Sequence, residues 1–599
     1  MGAPGRNKFL YWGFMVCGAA GAILFPSILT NEYYVHLANM VGISIILTLS
    51  LNLVFGFAGQ ISVGHAGFYA IGAYVFSNAV VTWGIPFFLS VLIALLACAT
   101  VGLLIGLPTL RLKGFYLAMA TLAFGVVVFV TASQWREFTG GAMGFLGIPR
   151  PTVLGYKLAT ERSYYYLILF SVVIVFWIIH NLRNSDVGRS MVAVRDSESA
   201  AGSLGINATK YKLIAFVFAS VFAGLAGALY ASLARYVSPN NFTLTLSFVI
   251  LAMVILGGLG SNLGAVLGGM IMVLLPESTH LLGKFHLMVY SLLLILVVIF
   301  APHGLMGLVH ELAPRTFHVP MPRRNHGPAF CQESRAILNP GEREIRSFFE
   351  VRTLSKSFGG LTALRDVSFA VEPGSITGII GPNGAGKTTL FNIITGVFPP
   401  SHGGIVFRDD PIGGLKTHII SRKGIIRTFQ SVNLFPDLTV HENVLIGTHR
   451  HFTSGIFEAI LRLPSLGRKQ VLAQQITEEV LDITGLNDVR DELCRNLPFG
   501  MQRIVETARA LAARPQLILL DEPAAGLASW EKESLERTLL RIRDLFGITI
   551  ILIEHSVHFV TDICQRIIVL DSGQLIAQGS PKEIQESSVV QEAYLGKLV

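Results

Sequence analysis

From Phe9 to roughly Pro302, apolar stretches long enough to cross a hydrocarbon core follow one another with only short polar interruptions. They begin near Phe9, Leu37, Ala66, Phe87, Phe115, Tyr164, Tyr211, Leu244, Leu263 and Leu287. This pattern predicts about 8–10 spans, the glycine-rich pieces being either re-entrant or spanning. The first stretch, Phe9 to Leu29, follows Arg6 and Lys8, is long for a secretory signal and has no small-x-small cleavage site, so it is expected to be a retained helix. Between Pro314 and Arg346 the periodicity lapses into Pro, Arg, His and Asn, the composition of a linker. Beyond it, short β-branched runs alternate with charged amphipathic stretches, the mark of a soluble α/β domain. The fold class expected is therefore a polytopic all-α membrane domain over 1–314, a linker over 315–345 and an α/β domain over 346–599.

Composition sharpens this division. The 599 residues are 52% apolar and only 14% charged, with mean hydropathy +0.58, which excludes a disordered or fibrous chain. The net charge is +8, and by count about 20 Lys and Arg face 11 Asp and Glu in 1–345, against about 26 and 27 in 346–599. The surplus lies in the apolar half, where basic loops orient spans, so no nucleic-acid partner is expected. Arg111-Leu-Lys113 and the stretch Arg183 to Lys212 carry most of it and should face the cytoplasm. The 5 cysteines are scattered and form no C-x-x-C pair, which argues against a disulfide scaffold or a cysteine zinc site.

The second half holds the chemistry. Gly381-Pro382-Asn383-Gly384-Ala385-Gly386-Lys387-Thr388-Thr389 fits G-x-x-x-x-G-K-[ST], follows the apolar strand Ile376 to Ile380 and precedes a helical run. Small residues let consecutive backbone N–H groups curl around phosphate oxygens at a helix N-terminus. Lys387 then reaches the terminal phosphates and Thr388 ligates Mg²⁺. Leu517 to Leu520 reads as a buried strand ending in Asp521 and Glu522, the first suited to a magnesium shell and the second to polarising an attacking water. His555 stands at the end of another apolar strand, Thr549 to Ile553, placed to contact a γ-phosphate.

The order phosphate loop, Gln430, Leu497-Pro-Phe-Gly500-Met-Gln502, Asp521-Glu522, His555 resembles the ATPase of ATP-binding-cassette transporters over essentially all of 346–599. The resemblance implies that Phe358 stacks on adenine and that Gln430 links Mg²⁺ and the attacking water to the membrane partner. It also implies that Gly500 and Gln502 belong to a signature loop closing over ATP held by a second subunit. Two departures stand out. Pro498 and Phe499 replace the usual Ser and Gly of the signature, and Ala528 replaces an Asp or Asn, which bears on the composite site that uses this signature.

An anchor needs one or two featureless spans; this membrane half has many, with polar groups at depth. Asn52, Gln60, Ser62 and His65, interleaved with Gly56, Gly59, Gly64 and Gly67, should face the bundle interior, as helix glue or as a solute path. Gly257 to Gly269 is a second glycine-rich region, expected to serve close helix packing. The segment from Gly188 to Ala208, with Arg195, Glu198 and Gly205, resembles the coupling loop of importer permeases, which docks on the ATPase. With Leu51 to Tyr69 and Gly144 to Arg150, it makes 1–312 resemble LivM-like permeases of the branched-chain amino acid importers. Asp521-Glu-Pro-Ala-Ala-Gly-Leu527 makes the ATPase half resemble their LivG-like subunits.

These resemblances imply a fused permease and ATPase, with ATP and Mg²⁺, that moves branched-chain amino acids across a bacterial inner membrane with its ATPase in the cytoplasm. They imply a second permease and a second ATPase subunit, from another copy or from separate chains, and an extracytoplasmic substrate-binding protein. Urea, short amides or aromatic acids are the alternative small-molecule cargo. An exporter half-transporter is disfavoured by the short loops. A non-transporting ATP-gated regulator is disfavoured by the presence of both Lys387 and Glu522.

Overall fold

The computed structural model describes residues 21, 23–28, 31–112, 114–153, 156–279, 285, 288, 292, 295–296, 299–300, 304–312 and 347–595. Most of the expected spans at Phe9 and Leu287, and the whole linker over 315–345, lie outside the described residues. The chain divides into two compact units, one of residues 1–195, 209–320 and 456–462, the other of residues 196–208, 321–455 and 463–599.

In the first unit, 6 helices among the described residues are long and apolar enough to cross a bilayer. They are Glu32–Phe57, which joins α1 (Glu32–Asn52) to a π-helical turn (Leu53–Phe57); α3 (Phe87–Thr109); α4 (Phe115–Gln134); α5 (Glu161–Arg183); α8 (Ala208–Ala234); and Pro239–Gly257, which contains α9 (Leu244–Gly257). The expected spans at Ala66 and Leu263 are the shorter helices α2 (His65–Val81) and α10 (Asn262–Thr279). After α5 come α6 (Asp186–Asp196) and the short α7 (Glu198–Ser203).

Burial separates the roles of these helices. From Gly42 to Asn52 every residue of α1 is buried, and α5, α9 and α10 pack against it. By contrast α3 and α4 present Leu104, Phe115, Tyr116 and Val127 outward. Apolar surface of that extent is costly in water and is matched by lipid chains. The glycine-rich turn between α9 and α10 brings two backbones together: a methyl group on Gly257 would strike the Gly264 carbonyl. That agrees with the close packing expected there.

The second unit is built on a six-stranded sheet in the order β6-β7-β8-β3-β9-β10. Its strands are β3 (Ile376–Ile380), β6 (Ile425–Arg427), β7 (Leu517–Asp521), β8 (Thr549–Ile553), β9 (Arg566–Asp571) and β10 (Gln574–Gly579). All neighbours run parallel except β9 and β10. Every residue of β3, β7 and β8 is buried, as a parallel sheet covered on both faces requires, which is why these strands read as unbroken apolar runs. A four-stranded antiparallel sheet, β2-β1-β4-β5, adds β1 (Phe349–Phe358), β2 (Leu361–Val371), β4 (His402–Phe407) and β5 (Asp410–Pro411). Register aligns Asp521 with Ile553 and Ile553 with Ile379. Gly381, Glu522 and Glu554 therefore emerge side by side at the carboxyl ends of β3, β7 and β8, where open α/β sheets place their ligands.

Candidate functional site

β3 delivers the chain into the loop Gly381 to Gly386, and α11 (Lys387–Ile394) leaves it. Gly386 lies at φ 93°, and a methyl group there would come within 2.7 Å of the Ala363 carbonyl oxygen and Leu364 Cδ2, so only glycine fits. Pro382 O accepts from Ala385 N at 3.2 Å, which curls the loop, while Asn383 and Gly384 stand exposed. Lys387 is buried, and its Nζ donates to Gly381 O at 2.7 Å and Pro382 O at 2.9 Å. Burial lowers its pKa, and the nearby charges of Glu522 and Asp521 oppose that shift. Thr388 is exposed and Thr389 half-buried in the first turn of α11.

Asp521 ends β7 in an ion pair with Arg427, Nη2 to Oδ2 2.8 Å, both side chains nearly inaccessible. Its other oxygen, Oδ1, is buried and has no hydrogen-bond partner among the described residues. An orphaned carboxylate oxygen, with the Thr388 hydroxyl in the first turn of α11, is a hard-oxygen donor set of the kind that suits Mg²⁺.

Glu522 is the next residue and adopts φ 50°, a left-handed backbone rare outside glycine, held by its N–H on Ile553 O at 2.9 Å. Its carboxylate gathers two of the other expected residues. Gln430 Nε2 donates to Oε2 at 3.0 Å, and His555 Nε2 lies 2.9 Å from Oε1. The fold thus brings Gln430, Glu522 and His555 into one cluster from three separate segments.

Two carboxylates that the sequence did not single out hold this cluster. Glu554 Oε1 accepts from Ala524 N at 2.7 Å and Oε2 from His555 N at 3.2 Å, tying the turn after Glu522 to the histidine. Burial pushes its pKa up, and those two amides pull it back. Glu506 lies in α14 (Phe499–Ala512) between Arg503 and Arg509, at 3.4 and 3.8 Å. It accepts from Phe429 N at 3.5 Å and Asn433 N at 3.4 Å, while Arg503 donates to Phe429 O at 2.8 Å and to Gln430 O. α14 therefore grips the loop that presents Gln430. The signal in the sequence is the pair Arg503 and Arg509 flanking Glu506 in one helix.

The signature segment opens α14. Pro498 precedes the helix in an extended conformation, Gln502 Nε2 donates to Leu497 O at 2.9 Å, and a methyl group on Gly500 would overlap the Glu531 carboxylate. The Phe499 ring is half exposed; it lies against Gly526 and under the Arg503 guanidinium, 5.6 Å from the centroid. Among the described residues no hydrogen bond or ion pair joins Gly500 or Gln502 to Lys387 or Glu522. Phe358 closes β1 with its ring 41% exposed, edge-on to Phe398 at 5.3 Å and with Lys356 Nζ 4.9 Å from its centroid.

The coupling residues part company. Residues 196–208 belong to the second unit, where Ser197 caps α7 by accepting from Ala200 N at 3.2 Å and Glu198 opens the helix. Gly205 adopts φ 84°, and its carbonyl accepts from Arg422 Nε at 3.2 Å on α12 (Thr417–Lys423). Arg195 belongs to the first unit and donates from Nη1 to Gly56 O at 2.8 Å.

The four polar residues of the membrane half also divide. Asn52 is structural glue: its Oδ1 accepts from Gly260 N at 2.9 Å and its Nδ2 donates to Ser261 O at 3.2 Å. His65 Nε2 lies 2.8 Å from Ser50 Oγ. The side-chain amide of Gln60 and the hydroxyl of Ser62 are buried with no hydrogen-bond partner among the described residues.

Comparison with known proteins gives the following matches. Residues 33–301 match a family described as the branched-chain amino acid transport system / permease component, and 364–525 match the ABC transporter family. Residues 574–597 match a branched-chain amino acid ATP-binding cassette transporter family. The second half is 38% identical over 252 residues to the high-affinity branched-chain amino acid transport ATP-binding protein BraF of Pseudomonas aeruginosa, covering 42% of this chain and 99% of the relative. It is 40% identical over 247 residues to LivG of Escherichia coli K12, covering 41% and 97%. The first half is 35% identical over 316 residues to the Escherichia coli permease protein LivM, covering 49% and 74%.

Proposed function

The chain belongs to the branched-chain amino acid ATP-binding-cassette transporter family, joining a permease and an ATPase, and from that premise we propose how its residues carry the work. The permease is residues 1–314 and the ATPase residues 346–599, joined by 315–345. ATP is the substrate of the second half: Gly381 to Gly386 wrap its phosphates, Lys387 neutralises them, Thr389 supports the first helical turn and Phe358 stacks on the base. Thr388, Asp521 and Gln430 would hold Mg²⁺, which when bound would supply positive charge against the phosphate oxygens.

Glu522 is the general base. The observation that carries this assignment is the pair of contacts on its two oxygens, Gln430 on one and His555 on the other. They fix the carboxylate's orientation, so that it meets an attacking water in line rather than swinging into solvent. Gly500 and Gln502 act on nucleotide held by a second ATPase subunit. Pro498 brings no hydroxyl to that task, so phosphate recognition there falls to backbone N–H groups at the start of α14.

The cargo is a branched-chain amino acid, delivered by an extracytoplasmic binding protein and moved across a bacterial inner membrane with the ATPase in the cytoplasm. A second permease and a second ATPase complete the assembly. α7 and Gly205 form the docking element, and Gln60, Ser62 and His65 line the path. Nucleotide acts by binding one conformation better than another, and hydrolysis resets the cycle. The test is Glu522→Gln in the reconstituted assembly: ATP turnover should fall by about 10²–10⁴-fold while ATP binding persists. Turnover close to wild type would remove Glu522 from its role.

A further inference from the structure

One knot of contacts in the first unit has no part in the scheme above. α1 does not end regularly; it widens into the π turn Leu53–Phe57, then runs as irregular backbone to Gly64 before α2 begins. A π turn shifts the i→i+4 ladder and leaves carbonyls to be met from outside. One of them, Gly56 O, is met by Arg195 Nη1 at 2.8 Å.

The same arginine reaches two further places. A methyl group on Gly59, at φ 67°, would lie 2.6 Å from Arg195 Cγ, so the side-chain stem presses on that backbone. A methyl group on Gly260 would lie 3.4 Å from Arg195 Nη1. Gly260 N is in turn held by Asn52 Oδ1, one residue before the π turn. Arg195 thus joins the end of α1, the start of the irregular segment and the turn between α9 and α10. Immediately beyond Gly59 stand Gln60 and Ser62, whose buried side chains have no partners. On its other side, Arg195 is the last residue of this stretch of the first unit, and residue 196 already belongs to the second.

We propose that Arg195 is the positioning residue that passes displacement of the docking segment to the broken α1–α2 helix. It holds the Gly56 carbonyl, so a shift of α6 carries the π turn and the 58–64 backbone with it and re-aims Gln60 and Ser62 towards the solute path. A planar guanidinium offers a fork of several N–H donors, whereas lysine keeps the stem against Gly59 but brings only a compact ammonium to the carbonyl. This inference rests on the transport reading above.

The test uses the full chain with its partner subunits and binding protein in lipid nanodiscs and proteoliposomes. Hydrogen exchange is followed over 53–64 and 197–205, with and without ATP plus vanadate. In wild type both segments should respond to nucleotide together. In Arg195→Ala, 197–205 should still respond and 53–64 should not; uptake should fall at least about 10-fold with ATP turnover kept within about 2-fold, and Arg195→Lys should restore part of the uptake. A wild-type 53–64 segment indifferent to nucleotide overturns the proposal, and so does an Arg195→Ala segment that responds like wild type. Should Arg195→Ala fail to assemble, the wild-type exchange comparison decides alone. A wild-type assembly that moves no solute counts against the transport reading instead.

Discussion

Replacing Arg427 by methionine isolates the buried charge on which the site's geometry depends. The Arg427–Asp521 pair sits at 2.8 Å with side chains only 4% and 2% exposed. Arg427 also donates to Asn392 Oδ1 at 2.6 Å and Thr395 Oγ1 at 3.2 Å, and it lies over the rings of Phe391 and Phe429. Methionine keeps most of the apolar stem but leaves Asp521 charged, buried and without its ion-pair partner. Removing one partner of such a pair costs about 3–5 kcal/mol, because the surviving charge stays desolvated. Loss of the ring contacts adds roughly 0.5–1 kcal/mol. The assay is native-state hydrogen exchange on the amides of Leu519 and Leu520, which open only when the ATPase sheet opens. Their opening free energy should fall by about 3.5–6 kcal/mol in Arg427→Met, the two losses together. The doubly neutral Arg427→Met/Asp521→Asn should be more stable than the single variant, because no lone charge remains. A drop of less than about 1 kcal/mol in the single variant, the range of exposed pairs, would refute the buried-charge reasoning.

Three further outcomes follow from the same coordinates. Glu554→Gln keeps one acceptor where two amides are served, so the turn at Ala524 and His555 should loosen; kcat for ATP should fall about 10-fold or more with KM little changed, and an unchanged kcat contradicts the positioning role. Gly205→Pro forces φ near −65° where the chain needs 84° and removes the N–H that serves Gly202 O, so uptake should collapse while ATP turnover largely survives; persistent uptake counts against docking through this segment. Glu478 is held down to about 2 by His441, whose Nε2 lies 3.6 Å from its carboxylate, and by the bidentate Arg490, against the opposing effect of burial. A depressed carboxylate stabilises above its ordinary value and loses that contribution as pH falls from about 4.5 towards 2, so acid unfolding of the ATPase unit should be less steep in Glu478→Gln over that window.

The sequence made some of this legible because the chemistry is local. The phosphate loop, Asp521 and Glu522 are read from consecutive residues, and β3, β7 and β8 from unbroken apolar runs. Glu554 and Glu506 were opaque for a physical reason: each acts by accepting backbone N–H groups from segments distant in sequence, and a carboxylate's partners of that kind leave no residue-type signature. Arg195 was legible as a basic residue between two spans but not as a ligand of Gly56, since the π turn that frees this carbonyl is a tertiary compromise at a glycine-interrupted helix end. Among the polar residues of the membrane half, the sequence could only say that all four face inward. Geometry separates Asn52, fully used in joining helices, from Gln60 and Ser62, which are not.

The central claim, that ATP handled by the second half drives solute through the first, is tested most directly by uptake. Proteoliposomes bearing the complete assembly, given a cognate binding protein loaded with radiolabelled leucine and ATP on the side of the ATPase, should accumulate label. Glu522→Gln vesicles should accumulate none, and unlabelled isoleucine or valine should compete where urea and benzoate do not. Accumulation that proceeds equally well without ATP, or in the Glu522→Gln assembly, would contradict the account.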